Sequence, residues 1–180
     1  VNDEKMTRTA LVVIDLQTGS RFLARHIFKK LTSDQFKQML LNNRKLVTQF
    51  SAQKLPIIIV TLHPKLLPKI LDNRFTQPLV TADLAYQLQK PGPSAFKHTE
   101  LSTYLQQQNI KQLLVTGFTT DNGVKKTVQD AEKLGFMPTV VTDATIARNS
   151  EKQQEMLKEF KHTCSTAEVL KTFENGQKRS

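Results

Sequence analysis

Short apolar runs with the length of strands alternate along this chain with segments of helical period, and no other feature narrows the possible folds as far. Ala10–Asp15 reads as a first strand, apolar on both faces and ending in an acid, and Pro56 opens a second, Ile57–Thr61. Leu84–Leu88, Gln112–Thr116, Met137–Thr142 and the short Thr163–Cys164 read as four more. Between them, Ser33–Ala52 repeats Phe36, Met39, Leu40, Leu46, Val47 and Phe50 at helical spacing, and Thr32 and Gln35 stand at capping-box distance before it. Thr99–Gln107 turns Leu101, Tyr104 and Leu105 to one side, and Gly123–Leu134 does the same with Val124, Thr127, Val128 and Ala131. A further helix starts at Ser150, at capping-box spacing to Gln153, and a last one carries Val169, Leu170 and Phe173. A loop with Gly19 follows the first strand, the three prolines of Pro64–Pro78 predict irregular chain, and Pro91-Gly92-Pro93 forces a turn.

Strands that are apolar on both faces and separated by helices belong in a parallel sheet with both faces covered. The expected fold is α/β, a Rossmann-like three-layer sandwich with a mainly parallel six-stranded sheet, formed as one domain over residues 1–180. With the strand order 3-2-1-4-5-6, ligands bind where the order reverses, beyond the carboxyl ends of the first and fourth strands. Asp15 ends the first of these, and Gly117–Gly123 follows the fourth.

Composition removes several function classes. No apolar run approaches the roughly 20 residues of a membrane helix, and the first ten residues have no apolar core of a signal peptide. The one cysteine, Cys164, allows neither an internal disulfide framework nor a cysteine cluster for zinc, and reads as a buried structural thiol. A cytoplasmic protein is expected. With 26 Lys+Arg against 16 Asp+Glu, the net charge of +10 can draw in nucleic acid, an acidic membrane surface or a small anionic substrate, or can simply mark basic solvated faces. The basic residues are scattered from Lys29–Lys30 to the tail Lys178–Arg179 without interleaved aromatics, which argues against nucleic acid.

Three segments carry chemistry. Asp15 directly follows an apolar strand, where partial burial would raise its pKa towards that of a general acid or base, although such an aspartate can equally cap a turn. Lys90 precedes a proline turn and can pair with Asp15, hold an anion, or stand in solvent. Gly117-Phe118-Thr119-Thr120-Asp121-Asn122-Gly123 leads from a strand into a helix, whose first amides can receive an anion or serve only as a capped start. The spacing is not that of a phosphate-binding P-loop.

Together these segments resemble the isochorismatase-like hydrolase superfamily, which includes isochorismatases, nicotinamidases and N-carbamoylsarcosine amidases. Asp15-Leu16-Gln17 matches its Asp-x-Gln. Lys90 with Ser94-Ala95-Phe96 matches its lysine before Ser-Ala-Phe. Gly117, Thr120, Val124 and Thr127 match the segment after the fourth strand, and Asp143-Ala144 matches a later Asp-Ala. The resemblance runs from about Thr9 to Phe173. It implies a cis peptide at Phe118–Thr119 and puts Gly123 where most relatives carry a nucleophilic cysteine. Cys164 falls too late in the chain to substitute. Amide hydrolysis through a thioester is therefore disfavoured.

Glycine also stands at this position in the branch that cleaves a vinyl ether. By that resemblance Asp15 is the general acid, Lys90 orients it or holds a substrate carboxylate, and Gln17, Phe22, Phe96, Phe118, Thr119 and Gly123 border the substrate. The expected function is hydrolysis of a small anionic vinyl ether such as isochorismate, with no cofactor. The alternatives are a degenerate member that binds a small anion or a protein partner, or a cysteine amidohydrolase whose cysteine Gly123 replaces. Departures from the family pattern are Thr18-Gly19-Ser20 in place of Asn-Asp-Phe, with Phe22 in the aromatic slot, and Pro-Gly-Pro after Lys90. Near the second strand, where nicotinamidases gather metal ligands, only His63 is present, so no metal is expected; His26, His98 and His162 read as surface residues. The family habit of pairing implies a homodimer or larger.

Overall fold

The computed structural model describes residues 9–177; the initial residues and the basic tail Lys178–Arg179 lie outside them. Six strands, β1 (Thr9–Ile14), β2 (Ile57–Leu62), β3 (Tyr86–Lys90), β4 (Gln112–Phe118), β5 (Met137–Ile146) and β6 (Thr163–Cys164), form one sheet in the order β3-β2-β1-β4-β5-β6. Every pairing between them is parallel. The order reverses between β1 and β4, so the crevice beyond their carboxyl ends is the natural ligand position. All six residues of β1 are buried, as a central strand covered on both faces requires.

Among the described residues seven α-helices cover the sheet: α1 (Thr18–His26), α2 (Ser33–Ala52), α3 (Lys69–Phe75), α4 (Leu101–Gln107), α5 (Lys125–Lys133), α6 (Ser150–Leu157) and α7 (Thr166–Gln177). One core lies under α2 and α7, where Leu46, Phe50, Val169 and Phe173 meet Leu11 and Val13 of β1. The other lies under α4 and α5, where Leu101, Leu105, Val124, Val128 and Ala131 meet Val12 and Ile14. Alternate residues of one strand thus feed both cores. Each large side chain so buried contributes about 1.5–3 kcal/mol.

Helix α2 starts as its sequence specifies: Thr32 Oγ1 accepts from the Gln35 amide, and the Gln35 side chain accepts from the Thr32 amide. Its buried Asn42 and Asn43 have a separate task. Between the pairs Val115–Val140 and Gly117–Thr145 the β4–β5 register shifts, and β5 bulges. The amide of Asn42 donates to the Asp143 carbonyl at 2.7 Å and that of Asn43 to the Ala144 carbonyl at 2.8 Å. These bonds satisfy carbonyls that the bulge takes out of the ladder.

The structure corrects the sequence reading in several places. Gly19 lies within α1, not in a loop; only Ser20 and Ala24 of that helix are buried, so no apolar period announces it. Pro64–Pro78 holds α3, which has no buried residue and is equally silent in sequence. The third strand is displaced to Tyr86–Lys90, because Leu84 is exposed and a turn bond joins the Ala85 amide to the Ala82 carbonyl. The segment after β4 makes a π turn at Thr120–Val124 before α5 begins. The Ser150–Gln153 capping box does not form: Asn149 caps α6 by accepting from the Lys152 amide, and Gln153 turns elsewhere.

Candidate active site

Three positions distant in sequence meet beyond the carboxyl ends of β1, β3 and β4. Asp15 follows β1 with φ 51°, a left-handed conformation that aspartate tolerates better than most residues, and its amide stays bonded to the Val60 carbonyl at 2.9 Å. Its own carbonyl accepts from the Ser20 hydroxyl. Lys90 is the last residue of β3 and is 1% exposed. Its Nζ lies 2.8 Å from Asp15 Oδ2 and donates to the Pro93 carbonyl at 2.6 Å. The turn Pro91-Gly92-Pro93 therefore holds the lysine inward. Gly123, in the π turn, completes the group: a Cβ added there would stand 3.3 Å from Asp15 Oδ2, from Ile14 Cγ2 and from the Phe118 carbonyl.

The close approach of β4 to β1 rests on Gly117. It has φ 116°, and a Cβ at that position would fall 2.0 Å from the Ile14 carbonyl oxygen. No other residue fits there. The Phe118–Thr119 peptide that follows is cis.

The electrostatics of Asp15 are a contest between burial and charge. Burial raises its pKa from 3.8 to about 6, against the opposing pull of the Lys90 ammonium, its hydrogen bond and the charge of His63. Oδ2 has Lys90, but Oδ1 is buried without a hydrogen-bond partner among the described residues. A desolvated carboxyl with one unpartnered oxygen holds its proton more tightly than a free aspartate and, when protonated, can donate from that oxygen.

The remaining residues named from the sequence divide. Thr119 is buried at the site. Gln17 is buried and already engaged: its amide nitrogen donates to the carbonyls of Leu62 and Phe75, and its oxygen accepts from the Leu62 amide at 2.7 Å. It ties β1 to β2 and α3. Phe118 packs on Phe28 and Phe36 in the α2-side core, and Phe96 stacks on Phe136 in the opposite core. Phe22 is 44% exposed and meets His26 and Phe75. His63 is held on both ring nitrogens, by Thr61 at 3.0 Å and Asp72 at 3.2 Å. His26, His98 and His162 are exposed, and Cys164 is half-buried with its thiol pushed up to about 11, chiefly by burial.

Residues not singled out as site residues from the sequence hold the loop in place. Gln153 Oε1 accepts from Thr120 Oγ1 at 2.6 Å and from the Ala147 amide at 2.9 Å. Its Nε2 donates to the Thr142 and Thr145 carbonyls. Thr145 Oγ1 reaches the Gly117 carbonyl, and Asp121 pairs with Arg148 at 2.8 Å. Thr127 Oγ1 accepts from the Ala95 amide at 3.0 Å, which joins the Ser94-Ala95-Phe96 segment to α5. The capping-box spacing of Gln153 marked it as a helix-start residue and so concealed this role.

The isochorismatase domain family matches residues 9–172, nearly all of the chain. The chain belongs to the isochorismatase family. It is similar to an uncharacterized isochorismatase family protein of Bacillus subtilis (strain 168), 26% identical over 169 residues, covering 84% of each chain. A probable inactive nicotinamidase of Arabidopsis thaliana is 39% identical over 67 residues, 37% of this chain and 34% of that protein. Among solved structures, an isochorismatase-like hydrolase from Alkaliphilus metalliredigens superposes with a TM-score of 0.78 at 17% identity, covering 92% of this chain and 99% of that one, and so shares its fold. Asp15, Lys90 and Gly123 of this chain border the crevice beyond the carboxyl ends of β1 and β4.

Proposed function

We propose that this isochorismatase-family hydrolase cleaves a small anionic vinyl ether, isochorismate being the first candidate, by general acid catalysis from Asp15. The observation that carries the reading is the buried Asp15 carboxyl, its pKa raised to about 6 and its Oδ1 unpartnered among the described residues, with its Oδ2 beside Gly123, a position that offers no nucleophile. At pH 7 such a group is protonated in about a tenth of molecules, against about one in a thousand for a free aspartate. An anionic substrate beside it raises that fraction further.

In the proposed step the Asp15 proton passes to the terminal enol-ether carbon, and the ether carbon becomes an oxocarbenium. Water adds there, and the hemiketal collapses to a keto acid and an alcohol. Lys90 keeps Oδ2 in place and presents positive charge to a substrate carboxylate. A glycine at 123 leaves room for the substrate next to the acid, where a side chain would crowd Asp15 Oδ2.

A second reading has support of its own: the Arabidopsis relative described as a probable inactive nicotinamidase suggests a degenerate member that binds without turnover. Incubation with isochorismate separates the two. The hydrolase reading requires loss of substrate absorbance with formation of pyruvate. Binding without pyruvate would leave the degenerate reading standing and sink the first.

A further inference from the structure

A concave surface lies between α1 and the amino-terminal half of α2, built from residues other than Asp15, Lys90 and Gly123. A cavity of about 340 Å³ opens there. Arg21 and Arg25 line it from α1, and Lys37 and Arg44 from α2; among the described residues its one lining acid is Asp34. The spacing is regular: Arg21 and Arg25 are one turn apart, and Lys37, Leu40 and Arg44 follow one face of α2. Like charges a turn apart oppose helix formation, and α1 has no acid in its first turn to offset them.

None of the four cations joins an ion pair among the described residues. The acids that pair there do so with His63, Lys90, Lys125, Lys133, Arg148, Lys152 and Lys161. Buried Ala24, Phe36 and Leu40 supply the apolar part of the wall. A concave surface near the lower size range of small-molecule pockets, with three guanidinium forks and one ammonium lacking acid partners, is complementary to phosphate. The cations fall into two pairs on two helices, so the charge matches two phosphate groups better than one.

We propose that this cavity binds a small soluble molecule bearing two phosphate groups, one held by Arg21 and Arg25 and the other by Lys37 and Arg44. Inorganic pyrophosphate is the probe, titrated calorimetrically into the wild-type chain, into the Arg25→Glu/Arg44→Glu variant, and into Lys158→Glu/Lys171→Glu. The last pair changes net charge equally at exposed positions away from the cavity. Saturable binding with one site is expected, tighter than orthophosphate by about tenfold or more. It should weaken at least about tenfold in the cavity variant and change less than about twofold in the control. Arg25→Gln/Arg44→Gln, read beside its circular dichroism spectrum, provides the same test should charge reversal prevent folding. Equal weakening in both charge-reversed variants would reduce the site to diffuse basic charge and overturn the proposal, as would no pyrophosphate binding by the wild type. Sedimentation with phosphatidylcholine vesicles containing a phosphorylated inositol lipid, without pyrophosphate binding, would assign the phosphate chemistry to a membrane headgroup and overturn the soluble ligand.

Discussion

Asp15 and Asp143 both lie in family-matched segments at the carboxyl-terminal part of central strands, yet their surroundings differ in kind. Asp143 sits at the β5 bulge, and its Oδ1 accepts from the amide and the hydroxyl of Thr166, at 2.7 and 2.8 Å, at the start of α7. Asp15 is buried, holds one lysine on Oδ2 and leaves Oδ1 without a partner. A carboxylate supplied with donors on an exposed residue stabilises a helix start; one deprived of solvent and short of a donor resists ionisation. The same residue type thus serves as scaffold in one place and as a candidate acid in the other, and the hydrogen-bond inventory distinguishes them where the motif alone does not.

The largest effect should come from Asp15→Asn. On a demonstrated vinyl-ether substrate it is expected to lower kcat by about 10²–10⁴-fold with binding largely kept, because the amide preserves shape but cannot act as the acid. Asp143→Asn should leave kcat per folded molecule near wild type. Pyruvate release under saturating substrate measures both, and an Asp15→Asn enzyme with wild-type turnover would remove the proposed mechanism. The pH profile supplies a companion measure: kcat/KM should fall as pH rises through about 6, where free Asp15 loses its proton.

Next in size is the stability effect of Lys90→Ala. Removing the ammonium leaves a buried carboxylate unpaired, which costs about 3–5 kcal/mol when the partner stays charged. The sign with pH follows from the folded pKa, which is raised above 3.8. The folded state therefore holds the proton more tightly than the unfolded chain. Asp15 favours folding most at pH below 3.8, loses that contribution as pH rises to about 6, and is flat above it. Without Lys90 the folded pKa rises further, so the loss measured by urea denaturation should be large at pH 8 and shrink towards pH 5. A loss equal at both values would mean that the lysine contributes packing only. Asp143→Ala should cost about 1 kcal/mol, as lost helix caps do.

Much of the architecture could be read from the sequence because the core writes itself there as period. The α2 face from Phe36 to Phe50 and the α5 face from Val124 to Ala131 are buried as spaced. Helices α1 and α3 left no such trace, since one buries only Ser20 and Ala24 and the other nothing. At the site, Asp15 and Lys90 were legible as strand-end residues within ordered motifs. Their pairing was expected from the resemblance and is found at 2.8 Å, but its means was not legible, because it depends on β2 lying between β1 and β3 and on the turn at Pro93. Gln153 escaped notice because a glutamine that satisfies four partners across β5 and the π turn has the same spacing as one in a capping box.

A stability cost no larger than that of Asp143→Ala, and the finest probe of the Asp15 region, belong to Gly123→Cys. The backbone at Gly123 admits an L side chain, but the new Cβ would meet Asp15 Oδ2, Ile14 Cγ2 and the Phe118 carbonyl at 3.3 Å, so neighbours must yield by a few tenths of an ångström. The cost should be about 1 kcal/mol, the low end for overpacking. The thiol would lie at the amino-terminal end of α5, beside the Asp15–Lys90 pair; the helix end and the ammonium lower a thiol pKa, while burial and the Asp15 carboxylate raise it. If the lowering influences win, the introduced thiol should react with iodoacetamide at pH 7 well ahead of Cys164, whose thiol burial pushes up to about 11. Peptide mapping by mass spectrometry after timed labelling reads both sites in one sample, with Cys164 as the internal reference. A thiol at position 123 that reacts no faster than a free thiol in solution would show that the pocket no longer activates a nucleophile. That result would remove the reading in which Gly123 replaces a catalytic cysteine, while leaving acid catalysis by Asp15 to stand or fall on the pyruvate assay.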